Sequence, residues 1–182
     1  MRIIAGKYKG KILNSFKLDT TRPTSDIVRS SLFNILGDKI IDCTFLDLFG
    51  GTGACGVEAI SRGSKQVYIV DKNKESVNLI NKNLNLVNAS AIVENTDYLT
   101  FLGNCKLKKI CFDVVFIDPP YATDFGENAI KFIIENNLVC SDSVIVWEHD
   151  KTKLDYVDSL KYPNVRTKKY GIKYLTIITL NE

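Results

Sequence analysis

A single histidine, His149, stands in a chain of 182 residues. One imidazole cannot by itself build a His-based metal site or a Ser-His-Asp relay, and no metal is expected. The five cysteines, Cys43, Cys55, Cys105, Cys111 and Cys140, contain no Cys-x-x-Cys pair. An odd, unpatterned set fits reduced thiols rather than zinc ligands or disulfides. No stretch approaches the roughly 20 apolar residues of a membrane span. The opening Met-Arg-Ile-Ile-Ala-Gly-Lys alternates apolar and basic residues and lacks the apolar core of a signal peptide, so a cytoplasmic protein without a membrane partner is expected. There is no internal repeat and no low-complexity linker. The length fits one ordinary domain with at most a small appendage.

Charge is sparse in net terms, +3 overall, but uneven in placement. Arg2, Lys7, Lys9, Lys11 and Lys17 precede any acidic residue, and Arg166, Lys168, Lys169 and Lys173 cluster near the other end. Two basic clusters on a nearly balanced chain suggest a polyanion partner.

The stretch Thr44-Phe-Leu-Asp-Leu-Phe-Gly-Gly-Thr-Gly-Ala-Cys-Gly56 reads as a strand entering a glycine-rich turn ahead of a helix. Gly51, Gly53 and Gly56 have the G-x-G-x-x-G spacing of a nucleotide-binding corner, where backbone N–H groups approach a ligand. By itself that spacing is equally compatible with a tight turn. Around it the pattern predicts strands over 45–49, 66–71, 91–94, 112–117 and 143–147. Helices alternate with them over 54–62, 74–87, 98–102 and 127–135, which implies a parallel sheet covered on both faces. A further helical stretch, 151–160, precedes strands over 165–170 and 174–180 that join around Gly171 as an antiparallel hairpin. Ahead of the sheet, 2–5 and 8–13 suggest a small hairpin with Lys7, Lys9 and Lys11 on one face and Tyr8 and Ile12 on the other. Thr24 reads as the N-cap of a helix ending at Gly37, with Asp26 in its first turn. The expected division is 1–42 as an N-terminal extension and 43–182 as the main domain.

Several acids follow strand ends. Asp71 lies 20 residues beyond Gly51 (71 − 51), where a carboxylate accepts from ribose hydroxyls. Asp47, two residues before the glycine turn, would repel a pyrophosphate and suits the ammonium of a methionine moiety. Asp97 has two readings, an acceptor for an adenine amino group or a helix cap. Asp118-Pro119-Pro120-Tyr121 ends the fourth central strand with an acceptor, a rigid carbonyl and an aromatic ring. An exocyclic base amine is a poor nucleophile because its lone pair is delocalised into the ring. Acceptors at Asp118 and Pro119 would orient it and expose that lone pair to a methyl sulfonium, while Tyr121 stacks on the base.

Asp47-Leu-Phe-Gly-Gly-Thr-Gly53 together with Asp118-Pro-Pro-Tyr121 resembles the class I S-adenosylmethionine (SAM)-dependent amino-methyltransferases. Met-Arg-Ile-Ile-Ala-Gly-Lys-Tyr-Lys-Gly10 and Thr21-Arg-Pro-Thr-Ser-Asp-Ile-Val-Arg29 with Leu32-Phe-Asn34 resemble the RsmD family, the bacterial 16S rRNA guanine-N2 methyltransferases. The likeness spans nearly the whole chain. Leu-Phe-Gly-Gly-Thr-Gly, where relatives often have Leu-Phe-Ala-Gly-Ser-Gly, is a conservative departure. The resemblance implies a Rossmann-like seven-stranded α/β sheet of order 3-2-1-4-5-7-6. It implies methyl transfer from SAM to N2 of one guanine in 16S rRNA, within a small-subunit particle, by a monomer. On this basis Asp47, Phe49, Gly51, Gly53, Asp71, Lys72, Asp97, Tyr98 and Thr24 are the expected SAM residues. Arg22 lies with Thr24 over the methionine end and joins Arg2, Lys7, Lys9 and Lys11 as an expected RNA contact. Asp118, Pro119, Pro120 and Tyr121 are the expected catalytic set. Glu148, at the end of the fifth strand, either approaches the target base or is a surface carboxylate, and stays outside that set.

Three rivals bear on this reading. An adenine-N6 methyltransferase shares the Asp-Pro-Pro-Tyr motif, but a DNA enzyme usually needs a recognition domain for which little chain remains. A non-catalytic RNA-binding assembly factor would not need Asp118–Tyr121 intact. A dehydrogenase is disfavoured by Asp47 and by the N-terminal extension.

Overall fold

The computed structural model describes residues 1–16, 26–120 and 122–181. A seven-stranded sheet carries the molecule, in the order β3-β2-β1-β4-β5-β7-β6. Its strands are β1 (Thr44–Asp47), β2 (Gln66–Val70), β3 (Ile92–Glu94), β4 (Phe112–Ile117), β5 (Val139–His149), β6 (Asn164–Tyr170) and β7 (Lys173–Thr179). The first five pair parallel, and β7 runs antiparallel to both β5 and β6. The expected strand order is the observed one. Among the described residues the helices are α1 (Asp26–Leu36), α2 (Ala54–Ser61), α3 (Lys74–Val87), α4 (Tyr98–Lys108), α5 (Phe125–Glu135) and α6 (Leu154–Ser159). None of these is long and apolar enough to cross a membrane.

The central strands are apolar on both faces because both are covered. Val114, Phe116, Val144 and Val146 point into one core with α1 and α2; Val115, Ile117, Ile145 and Trp147 point into the other with α4 and α5. Ile3, Leu13, Val28, Leu32 and Phe33 from the N-terminal extension lie in the first of these cores, so the extension shares the sheet's own packing.

That extension differs in detail from a regular hairpin. Its arms meet at one antiparallel bridge, Arg2 with Ile12, and the chain between them turns, with Gly6 at φ +80° and Gly10 at φ +86°. Strand alternation therefore does not order the lysines: Ile12 is 73% exposed, and Lys7 and Lys11 flank the Tyr8 ring at 5.3 and 5.5 Å. Gly6 fits because a Cβ there would lie 1.8 Å from the Ser61 carbonyl oxygen. The extension docks through buried polar groups on α2. Glu58 accepts from the Ile4 and Ala5 N–H groups at 2.8 and 3.0 Å, and Ser61 donates to the Ala5 carbonyl at 2.6 Å. The wholly buried Arg29 donates to the Arg2 carbonyl at 2.5 Å and lies 4.0 Å from Glu58. These partners make the burial of both charges tolerable.

Candidate active site

The glycine turn sits where the sheet's winding reverses, between β1 and β4, the place where open α/β sheets form a ligand crevice. β1 delivers Asp47 beside Phe116 of β4, and the Leu48 N–H donates to the Phe116 carbonyl at 3.1 Å. The loop after β1 and the Asp118-Pro119-Pro120 segment after β4 thus leave adjacent strands at one level. The three glycines do different jobs. Gly51 turns at φ +54° with no atom within 4 Å of where a Cβ would stand, so the space beside it is open. Gly53, at φ +77°, is the N-cap of α2. At Gly56 a Cβ would stand 2.4 Å from Ile69, so glycine lets α2 lie tightly on β2.

Asp47 is 1% exposed and accepts the Gly56 N–H at 3.1 Å, supplying the helix start with the acceptor that Gly53 lacks. Burial pushes its carboxyl up to about 7, and the nearby Asp71 charge adds to the rise while the Gly56 bond opposes it. Asp71 directly follows β2 and bridges two backbone donors, Gly51 N–H at 2.9 Å and Asn73 N–H at 2.7 Å, which ties its carboxylate to the glycine turn. Asp97 is the N-cap of α4. It accepts from the Thr100 N–H at 3.0 Å and the Thr100 hydroxyl at 2.5 Å, and these bonds hold its carboxyl below the usual range. The capping alternative is therefore visible directly.

Phe49, Tyr98 and Phe125 form one aromatic group, with ring centroids 5.2–6.4 Å apart, and the Lys72 ammonium stands 5.8 Å from the Phe125 ring. The structure thus gathers Asp47, Gly51, Gly53 and Asp71 at the glycine turn, and Phe49, Tyr98 and Lys72 around Phe125. Phe125, which the expected set does not include, packs its ring on Phe49 and Tyr98 because α5 begins there, two residues before its expected start at Glu127. Arg22, Thr24 and Tyr121 lie outside the described residues. Arg2, Lys7, Lys9 and Lys11 are all exposed on the N-terminal extension.

A cleft opens beside Pro119 and Pro120, walled by Trp147, Glu148, His149, Asp150 and Lys153. Glu148 is no surface carboxylate: it is fully buried and ion-paired to Lys173 of β7, itself only 7% exposed. Lys173 accordingly drops out of the exposed C-terminal basic cluster, because it faces inward on its strand. His149 is buried too. Its Nδ1 lies 2.7 Å from the Asp150 carbonyl, which can only accept, so Nδ1 carries the proton and Nε2 accepts from the Thr176 hydroxyl at 2.7 Å. Burial lowers its pKa, keeping a neutral ring in this wall. Among the described residues no cluster of metal-ligating side chains occurs.

The chain is similar to known proteins over most of its length. A family model described as conserved hypothetical protein 95 matches residues 1–179. The chain is 38% identical over 156 residues to ribosomal RNA small subunit methyltransferase D of Haemophilus influenzae, covering 84% of this chain and 80% of that one. It is 32% identical over 151 residues to the protein of the same name from Escherichia coli, covering 82% and 75%. A solved Thermus thermophilus protein superposes with a TM-score of 0.83 at 29% identity, covering 98% of this chain and 99% of its own. With a family match along almost its full length and the class I methyltransferase sheet order, the chain belongs to the RsmD family of methyltransferases.

Proposed function

We propose that this protein transfers a methyl group from SAM to the exocyclic N2 of a guanine in small-subunit ribosomal RNA. One observation carries the reading: the glycine turn after β1 and Asp118-Pro119-Pro120 after β4 emerge side by side at the carboxyl edge of the sheet. The names of the relatives from H. influenzae and E. coli support the rRNA class of substrate.

The crevice fits SAM on its own chemistry. Gly51 leaves open space at the turn, and Asp71 offers acceptor oxygens at its rim. The buried Asp47 carboxyl, pushed up to about 7, is a group that a neighbouring ammonium would stabilise in its ionised form. Phe49 and Tyr98 give the mouth an apolar wall for a purine. When bound, SAM supplies an electrophilic methyl on a sulfonium.

The protein's part is orientation. The Asp118 carboxylate and the Pro119 carbonyl accept the two amino hydrogens of the base. The nitrogen is thereby turned so that its lone pair faces the methyl, and the positive charge that develops there meets a fixed carboxylate. Once methylated, the nitrogen is cationic and loses its proton readily to any acceptor, water included, so no base has to act before attack. Arg2, Lys7, Lys9 and Lys11 grip phosphates and position the strand. The test is a mass map of modified nucleosides in rRNA from cells with and without this gene. One N2-methylguanosine in the small-subunit rRNA should vanish with the gene; an unchanged guanine map, or loss of a methyladenosine instead, refutes the reading.

A further inference from the structure

Arg166, Lys168 and Lys169 form a basic cluster that the crevice does not use. All three are exposed on β6, the edge strand of the sheet. From Asn164 to Asn181 the chain has no acidic residue, so nothing on the β6–β7 hairpin itself offsets their charge. The hairpin turns at Gly171-Ile172, and Tyr174 of β7 is the partner of His149, the last residue of β5. β4 and β5 run parallel, so this tip lies at the same carboxyl edge from which Asp118 leaves β4.

Side chains alternate along β6. Arg166 and Lys168 oppose Ile177 and Leu175, which pack in the core shared with α1 and with Ile3 and Leu13 of the N-terminal extension. Two basic clusters from opposite ends of the chain therefore lie on one face of the sheet. They flank the crevice: Met1 of the extension touches Thr52 of the glycine turn after β1, whereas β6 lies three strands beyond β4 on the other side. Lys169 alternates to the opposite face, 5.7 Å from the Tyr174 ring. β6 is also firmly held. The Thr167 hydroxyl lies 2.8 Å from that of Thr176, which donates to His149 Nε2 at 2.7 Å, so one hydrogen-bonded row crosses β6, β7 and β5. Cations on a strand fixed this way lose less freedom when they bind. Charged side chains on an edge strand also deter pairing with another chain, but that role calls for charge of either sign and for no particular face.

We infer that Arg166 and Lys168 contact phosphates of the rRNA strand that carries the target base, on the far side of the crevice from the N-terminal extension. The inference rests on the proposed rRNA substrate and adds a second anchoring surface to it. A nucleic-acid strand carries a negative charge at every nucleotide, and phosphate contacts set its register and orientation on a protein. Contacts at two separated places fix the direction in which the strand crosses the crevice, which contacts at one place do not. The target base is thereby presented between them, above the loop that holds Asp118.

The test compares two double variants of the full chain that lose the same charge. One carries Arg166→Gln and Lys168→Gln. The other carries Lys106→Gln and Lys108→Gln, exposed positions at the end of α4 from which the chain enters β4 at the opposite edge of the sheet. Binding of a small-subunit rRNA transcript is measured between about 50 and 200 mM salt. Loss of two single-strand phosphate contacts should reduce the slope of log affinity against log salt by about 1.4, or about 0.7 for each contact. Lys168→Gln alone should reduce it by about half as much, and the α4 pair should leave it as in the wild-type protein. A slope unchanged by the β6 substitutions, or reduced equally by both pairs, overturns the assignment. Self-association of the β6 variant with an unchanged slope also overturns it and makes these cations guards of the edge strand. The rRNA nucleoside map decides separately whether guanine is the base methylated, so the two claims fail on different readouts.

Discussion

Asp47 is a buried acid that holds the start of a helix and, in the proposed function, also faces the ammonium of SAM. Its ordinary carboxyl value is 3.8 and its folded value is about 7, with burial the largest cause. Between those values the folded protein holds a proton that the unfolded chain has released. Stability contributed by this group is therefore full below about pH 4 and is lost as pH rises through about 7. Asp47→Asn keeps an acceptor for the Gly56 N–H and has no proton to lose. Denaturant unfolding from pH 4 to pH 8 should show the wild-type protein losing stability relative to the variant, by about 4 kcal/mol at most. Parallel curves would mean that Asp47 is ionised in the folded protein throughout. That Asp47 is special was legible in the sequence from its place before the glycines. Its role in holding the start of α2 was not, because that bond joins residues 47 and 56 across the turn and depends on how tightly the helix lies.

Elements were legible wherever a local signal was strong. Alternating apolar runs and helical stripes gave the succession of strands and helices, while the order of the strands in the sheet followed from the family resemblance. Boundaries failed where tertiary packing overrode local preference. The helix expected to end at Leu102 runs on as α4 to Lys108, because Cys105 is buried and the intervening Gly103 is tolerated. The expected N-terminal strands shrink to a single bridge, because Gly6 and Gly10 turn the chain onto Ser61. Two helical glycines make a paired test. A Cβ on Gly126 of α5 would stand 2.3 Å from the buried Trp147 indole, whereas one on Gly103 of α4 would have nothing within 4 Å. Gly103→Ala should stabilise by about 0.5–1 kcal/mol through helix propensity. Gly126→Ala should instead destabilise by about 1–3 kcal/mol from overpacking, despite the same propensity gain. Thermal unfolding of the two variants reads the difference; a stabilised Gly126→Ala protein would show that α5 lies more loosely on Trp147 than this contact implies.

At the scale of the whole molecule, charge is divided between inside and outside. Arg29, Glu58, Glu148 and Lys173 are buried and bind parts of the fold together, while Lys7, Lys9 and Lys11 remain exposed. The buried pairs were invisible in the sequence because their members lie far apart in it, Arg29 from Glu58 and Glu148 from Lys173. The exposed group was legible as a basic run, though not its arrangement around Tyr8. Reversing the charge of Lys7, Lys9 and Lys11 should weaken rRNA binding and flatten its dependence on salt, with SAM affinity unchanged. Binding isotherms over a range of salt concentrations check this, and an unchanged slope removes the extension from the phosphate path.

The orientation of the amino group by Asp118 is the claim on which the proposed chemistry depends. The direct measurement is single-turnover methylation of small-subunit rRNA by wild-type protein, Asp118→Asn and Asp118→Ala, each saturated with SAM. The alanine variant loses both acceptor and charge and should slow by about a hundredfold, the effect of roughly 3 kcal/mol lost from the transition state. The asparagine variant keeps an acceptor oxygen and should retain activity between those limits, with SAM affinity little changed in either. Equal inactivity of Asn and Ala, with a wild-type rate that follows one ionisation well above the usual carboxyl range, would make Asp118 a general base and contradict orientation as the mechanism.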